Sequence, residues 1–313
     1  MSVMIRCLIP VLGAVVAAPA LAMGDSPEMP HRIPRNAPAE TLPLDTALAA
    51  VRAESGFQPA SPATAERAER VFGELLAGEV PDEGLAAIGL VRRPIALDDG
   101  KALAVHDPAD AVRGRGFYLV QDASRSVAPV FLQAPHRFKD LDTGAIAAEM
   151  AAGGTFRMVA WNTVPRWAPD DRSDRAADLA HRDTSHFNAA TAAFARADPS
   201  GVVVQLHGFA SGKRRTAAGR SADVIVSSGT KELAGPARRV RDCLRARLGA
   251  RVLGYGEDVS ELGATTNRNA AMLRDMGFNR FVHVEMDRGL RRALVTDADQ
   301  RSRLRACLLE AAE

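Results

Sequence analysis

The sequence predicts an α/β domain built on a mainly parallel or mixed central sheet flanked by helices. Two observations carry this. From about residue 129 onward, short apolar runs of strand length alternate with stretches of helical spacing, the order that crossover helices on a parallel sheet produce. The runs themselves, such as PVFLQA, GVVVQL and RFVHV, are nearly continuous in apolar residues, as expected of strands covered on both faces.

Taken in order, the first 22 residues stand apart. Arg6 precedes CLIPVLGAVVAAPALA, a run that closes on Ala20-Leu21-Ala22. This predicts a secretory signal peptide over residues 1–22, a mature chain starting near Met23, and a periplasmic or secreted protein. The run is too short for a stable membrane span. Residues 23–62 are rich in proline and small side chains and read as an extended lead-in without a core of its own. The domain proper is expected over residues 63–313. It opens with a helix over Thr64–Leu76, where Ala68, Val71, Phe72 and Leu75 recur at helical spacing and Thr64 serves as cap. Lys101–Val105, Gly116–Val120 and Pro129–Gln133 read as neighbouring strands of a meander leading into the main sheet.

The alternating part follows. A helix over Thr143–Ala152 is stopped by Gly153-Gly154. Phe156–Trp161 is a strand, residues 162–174 a polar loop, and Ser185–Arg196 a helix. Strands are expected at Gly201–Leu206, Ala222–Ser227, Arg251–Tyr255 and Arg280–Glu285. Helices fall at Gly235–Leu248, Asn269–Met276 and Asp299–Ala312.

Over 313 residues, 47% are hydrophobic and 25% charged, ordinary values for a soluble globular protein. A net charge of +2 gives no reason to expect nucleic acid or an anionic membrane as partner. Without the leader, Cys243 and Cys307 remain as an even pair. In an oxidising compartment they can form one disulfide, although two buried thiols fit the sequence equally well.

Three strands end in a side chain suited to metal or proton chemistry. PVFLQAPHRFKDLD stops at His136, with Asp140 and Asp142 following; GVVVQLHG stops at His207; RFVHVE stops at Glu285. Open α/β sheets place their ligands at the carboxyl ends of the strands. His136, one of the two aspartates, and His207 would make three N and O donors, the number a catalytic zinc site takes from the protein. Glu285 shares a strand face with His283, two residues earlier. A carboxylate closing an apolar strand is used or paired; the pairing alternative is a salt bridge to Arg288 or Arg291. DLAHRDTSH, Asp178 to His186, holds Arg182, whose planar fork could clamp a substrate carboxylate; a capped helix start with solvated charges explains the same cluster. His106 reads as a turn residue. GFASGKR after GVVVQLH suggests a P-loop, but the spacing is one residue short and no Ser or Thr follows Lys213. That reading is rejected.

These motifs resemble the zinc-dependent carboxypeptidase and deacylase superfold, most closely the branch of poly-γ-glutamate hydrolase and N-formylglutamate amidohydrolase. APHRFKDLDTG, VVVQLHG and FVHVEMDRGLR stand where that branch has a strand ending in His before a carboxylate, a strand ending in His-Gly, and a strand ending in Glu before an Arg-containing turn. The resemblance covers roughly residues 129–292. It departs from the pattern in carrying Asp instead of the usual Glu as metal carboxylate, and His181 where an Asn precedes the substrate-gripping Arg. It favours Asp140 over Asp142, because Thr143 then matches a Thr of the related loop. The resemblance implies Zn2+ held by His136, Asp140 and His207, with Glu285 as general base and Arg182 at the substrate carboxylate or oxyanion. The implied activity is exported hydrolysis of an amide or isopeptide bond in a small substrate, with a glutamate-containing or cell-wall peptide as an example. A non-catalytic zinc- or ligand-binding periplasmic protein is the alternative from another class. Glu285 separates the two, since a module that only binds needs no base.

Overall fold

The computed structural model describes residues 41–53, 56–79, 82–167 and 177–313. The expected signal peptide lies outside them. A two-residue strand β1 (Leu42–Pro43) leads into helices α1 (Leu44–Ala50), α2 (Pro62–Leu76) and α3 (Asp82–Ala87). Strands β2 (Val91–Leu97), β3 (Gly100–His106) and β4 (Phe117–Val120) follow. Then come β5 (Ala128–Ala134), α4 (Thr143–Ala151), β6 (Phe156–Trp161), α5 (His186–Ala197) and β7 (Val202–Gly208). The chain closes with α6 (Ala217–Ser221), β8 (Val224–Ser227), α7 (Gly235–Arg247), β9 (Val252–Gly254), α8 (Arg268–Asp275), β10 (Phe281–Met286), α9 (Arg288–Thr296) and α10 (Ala298–Glu310).

The ten strands among the described residues form one mixed sheet in the order β1-β2-β3-β4-β6-β5-β7-β10-β8-β9. Its centre, β6-β5-β7-β10, is parallel, while β4 runs antiparallel to β6 and β8 antiparallel to β10. The expected α/β architecture is therefore present. The expected meander is altered: β3 and β4 pair, but β6 lies between β4 and β5. The crossover through α4 returns the chain to the β4 side of β5, and the crossover through α5 carries it to the other side. That reversal is the topological switch point at which open sheets bind their ligands.

Side-chain alternation on the central strands divides the core. Val130, Leu132 and Ala134 of β5, Val204 and Leu206 of β7, and Val282 and Val284 of β10 pack in one cluster with α4, α7 and α10. Phe131, Val203 and Phe281 pack in the other with α2, α5 and α8. Gln133, Gln205, His207, His283 and Glu285 share the strand parity of this second face. Toward the carboxyl ends it thus changes from Phe131, Val203 and Phe281 to two amides, two imidazoles and a carboxylate.

Three expectations differ from the structure in ways the physics explains. Part of the extended lead-in is helical: Leu44, Ala47 and Leu48 of α1 are buried together with Val51, an i, i+3, i+4, i+7 stripe set in a proline-rich context. The cap of α2 is Ser61, whose hydroxyl accepts from Thr64 N at 3.1 Å; Pro62 at the first helical position lacks an N–H that would have no partner there. His106 ends β3 instead of sitting in a turn. It is buried, stacked on Phe117 at 5.3 Å, with Nδ1 2.6 Å from the Asp107 carbonyl.

Cys243 and Cys307 are joined, tying α7 to α10 across 64 residues of sequence. Closing a loop of that length removes chain entropy from the unfolded state worth up to about 4 kcal/mol. Replacing both cysteines with alanine is expected to lower unfolding stability by about 2–4 kcal/mol. Denaturant titration of the oxidised and Cys-free proteins checks this; equal midpoints would contradict it.

Candidate metal centre and active site

Beyond β5 the chain makes a single tight turn. Lys139 N and Asp140 N both donate to the His136 carbonyl at 2.8 Å, so residues four apart come to the same side. Thr143 closes the turn, its N and Oγ1 donating to the Asp140 carbonyl at 3.1 and 2.7 Å. Asp140 thereby points at the sheet end: its Oδ2 lies 3.2 Å from His207 Nδ1 and 3.5 Å from His136 Nδ1. Asp142 sits at the start of α4 with φ of 75° and lines a different cleft, with Arg52 and Arg137.

His207 and Glu285 are cross-strand neighbours on β7 and β10, so the parallel register delivers both at one level. Gly208 follows His207 because the Arg291 guanidinium occupies the space where a Cβ would project. Buried Arg291 donates Nε to the Leu141 carbonyl at 2.7 Å, and Nη1 to the carbonyls of Phe209, at 3.3 Å, and Met286. One side chain thus ties together the segments that follow β5, β7 and β10. The alternative reading of Glu285, a salt bridge to Arg288 or Arg291, has no counterpart among the described residues. The contact of Glu285 is with His283, Nε2 to Oε1 at 3.7 Å, and Glu285 Oε2 is buried with no hydrogen-bond partner.

The outer nitrogens of the two candidate ligands are also engaged. His136 Nε2 lies 2.7 Å from Asp178 Oδ1, which His181 Nδ1 also approaches at 3.0 Å. Arg166 completes this group, its Nη2 3.2 Å from Asp178 Oδ2. His207 Nε2 faces Gln205 Oε1 at 3.3 Å. His136 Nδ1, Asp140 Oδ2 and His207 Nδ1 therefore remain as the inward-facing donors, and these three residues can offer ligand atoms within 4.8 Å of one another. Two imidazoles and a carboxylate, each imidazole backed by an acceptor on its other nitrogen, is a donor set that fits zinc. His207, His283 and Glu285 also converge within that limit, but a cation there would share His207 with the first position.

Burial works against the charge on His136, yet the hydrogen bonds it donates to the Asp140 and Asp178 carboxylates, with their charges, prevail and raise its pKa to about 9. Burial likewise opposes ionisation of Asp140 and Asp178, but their histidine partners hold both well below the usual carboxylate range. His207 and His283 are pushed down by burial and stay neutral. Glu285 is pushed up to about 8, by burial first and the Asp140 charge second. At pH 7, without a cation, His136 and Glu285 both hold a titrating proton. Coordination through His136 Nδ1 must expel one, and a positive charge beside Glu285 favours release of the other. Zinc binding at pH 7 is expected to release more than one proton per chain, and affinity to rise with pH until about 9. Calorimetry in buffers of different ionisation enthalpy reads this directly; release near zero at pH 7 would refute it.

The donors open onto a cleft of about 420 Å³ that includes Lys139, Arg166, His181 and the 262–267 segment. Arg182, expected at the substrate, lies elsewhere: its guanidinium is over the Phe57 ring, 5.3 Å from the centroid. Among the described residues, Lys139 and Arg166 line the cleft with a Lys ammonium and an Arg guanidinium. Asp178, Arg166 and Gln205 were not among the residues expected at the site. The glutamines carried a usable signal, because FLQA and VVVQL each bury an amide in the middle of a central strand, which is costly unless its hydrogen bonds are filled.

The sequence matches no family model and no curated protein. Among solved structures it is similar to N-formylglutamate amidohydrolase from Ralstonia eutropha JMP134, with 14% identity and a TM-score of 0.38 over 60% of this chain and 94% of that one. A metallo-carboxypeptidase from Burkholderia cenocepacia is matched with 9% identity and a TM-score of 0.33, over 82% of this chain and 69% of that one. Likenesses this distant carry no argument about chemistry, so the functional reading stands on the site's own geometry.

Proposed function

We propose that this chain is an exported, zinc-dependent hydrolase that cleaves an amide or isopeptide bond in a small, carboxylate-bearing substrate. The observation that carries the reading is Glu285: a buried carboxyl group with an unpaired oxygen, beside three converging metal-type donors. An unsatisfied buried oxygen costs stability, and a protein that only holds a cation has no use for it.

His136, Asp140 and His207 would hold the cation. When bound it supplies a Lewis acid that acidifies water and polarises a carbonyl. Glu285, raised to about 8 by burial and Asp140 and lowered again by a neighbouring positive charge, is matched to neutral pH as general base. It takes a proton from the attacking water and returns it to the leaving nitrogen. Arg166, with Lys139 beside it, assumes the carboxylate-holding role expected of Arg182, and Asp178 orients both Arg166 and His136. The disulfide supports the export reading, because such bonds persist in oxidising compartments.

Purifying the protein from the periplasmic or secreted fraction of the expressing cell tests the whole reading. The expected result is a chain beginning near Met23, with about one zinc per chain by elemental analysis, that hydrolyses at least one member of a panel of acyl-amino-acid and isopeptide substrates and stops when chelated. An intact amino terminus in that fraction contradicts cleavage after Ala22, and absence of the chain from it contradicts export. A chain without metal contradicts the site.

A further inference from the structure

We infer that Gln205 is the positioning residue that selects the metal-binding tautomer of His207, and that the buried amides around it keep its own orientation from reversing. The inference rests on the reading of His136, Asp140 and His207 as cation ligands.

Gln133 and Gln205 are cross-strand partners on β5 and β7, and both are fully buried. A buried primary amide must fill its donors and acceptor, and here each link constrains the next. Thr191 Oγ1 donates to the Phe187 carbonyl at 2.7 Å, so it accepts from Gln133 Nε2 at 2.8 Å. Gln133 Oε1 is then left to accept from Gln205 Nε2 at 2.8 Å. On the other side, Asn267 caps α8 with its Oδ1, which accepts from Ala270 N at 3.0 Å, and donates its Nδ2 to Gln205 Oε1 at 2.7 Å. Reversing the Gln205 amide would set donor against donor at Asn267 and acceptor against acceptor at Gln133.

What faces His207 Nε2 at 3.3 Å is therefore an oxygen that can only accept. A neutral imidazole has one N–H. Asp140 Oδ2, 3.2 Å from Nδ1, draws that proton to the inner nitrogen. Gln205 draws it to the outer one and so frees the Nδ1 lone pair. His136 has a carboxylate, Asp178, for the same task. A third carboxylate behind His207 would add to the repulsion that Asp140 already exerts on Glu285, and a neutral amide acceptor avoids it.

The test is zinc affinity, measured by competition with a chromophoric chelator on folded, metal-free wild type, Gln205→Met and Gln133→Met. Gln205→Met loses the acceptor and is expected to bind zinc about 10–100-fold more weakly. Gln133→Met breaks the chain one link further off and costs folding stability, but Asn267 still holds Gln205, so affinity should stay within about threefold of wild type. A Gln205→Met protein that binds zinc as tightly as wild type overturns the inference while leaving the ligand assignment intact. A wild type that takes up no zinc overturns the ligand assignment itself. Should Gln205→Met not fold, a 15N-histidine spectrum of the zinc-loaded wild type decides: metal on Nδ1 and a proton on Nε2 of His207 is the expected pattern, and metal on Nε2 refutes it.

Discussion

Glu285→Gln is expected to retain zinc and the fold while amide hydrolysis falls by about 10²–10⁴-fold. The amide keeps the shape of the carboxyl group but cannot take a proton from water. Stability should barely change. Without a cation Glu285 is already neutral at pH 7, with a pKa of about 8, so the substitution replaces one buried neutral group with another. Glu285 also makes no ion pair with Arg288 or Arg291 among the described residues, and breaking such a pair would have been the route to a large destabilisation. The measurement is kcat on an identified amide substrate beside zinc content and a denaturation midpoint. A folded, zinc-loaded Glu285→Gln protein as active as wild type would remove the general base from the mechanism and restore the binding-protein alternative.

Loss of a ligand should be more drastic for the metal. His207→Ala and Asp140→Ala are each expected to lower zinc affinity by about a thousandfold or more, so that the purified proteins hold little zinc, because two remaining donors make a poor site. Asp142→Ala should keep its zinc. Asp140 Oδ2 faces both Nδ1 atoms, whereas Asp142 lines the cleft with Arg52 and Arg137. Elemental analysis of the three variants, each checked for folding, separates the two aspartates. Zinc lost from Asp142→Ala but kept by Asp140→Ala would reverse the assignment. The second variant carries a further signature. Asp140 is one of two carboxylates that raise His136 to about 9, so its removal should bring that imidazole down toward its ordinary value.

Much of this could be read before any coordinates. The unbroken apolar runs at Pro129, Gly201 and Arg280 announced central strands, and β5, β7 and β10 lie side by side in the parallel centre of the sheet. His136, His207 and Glu285 were legible for the same reason, whereas the residues left Asp140 and Asp142 open and only the resemblance favoured Asp140. A polar group of that kind at the end of a buried strand is out of place unless it is used, and strand ends are where open sheets do their work. The strand β2 was not legible: VRRPIAL buries only Ile95 fully and carries a proline, so neither periodicity nor run length marks it.

By itself, then, the sequence determined the layered class of the fold, the faces its strands bury, and the three residues, His136, His207 and Glu285, that local pattern delivers to the sheet edge. Those are local properties, set by spacing along one element. Tertiary structure decided the rest. It inserted β6 between β4 and β5, turned Asp140 instead of Asp142 toward the two histidines, set Arg182 on Phe57, and brought Asp178 and Arg166 in behind His136. The physical reason is range. Asp178 reaches His136 from 42 residues away and Asn267 reaches Gln205 from 62; such pairs exist only once the crossovers have closed, and no periodicity in a single segment records them.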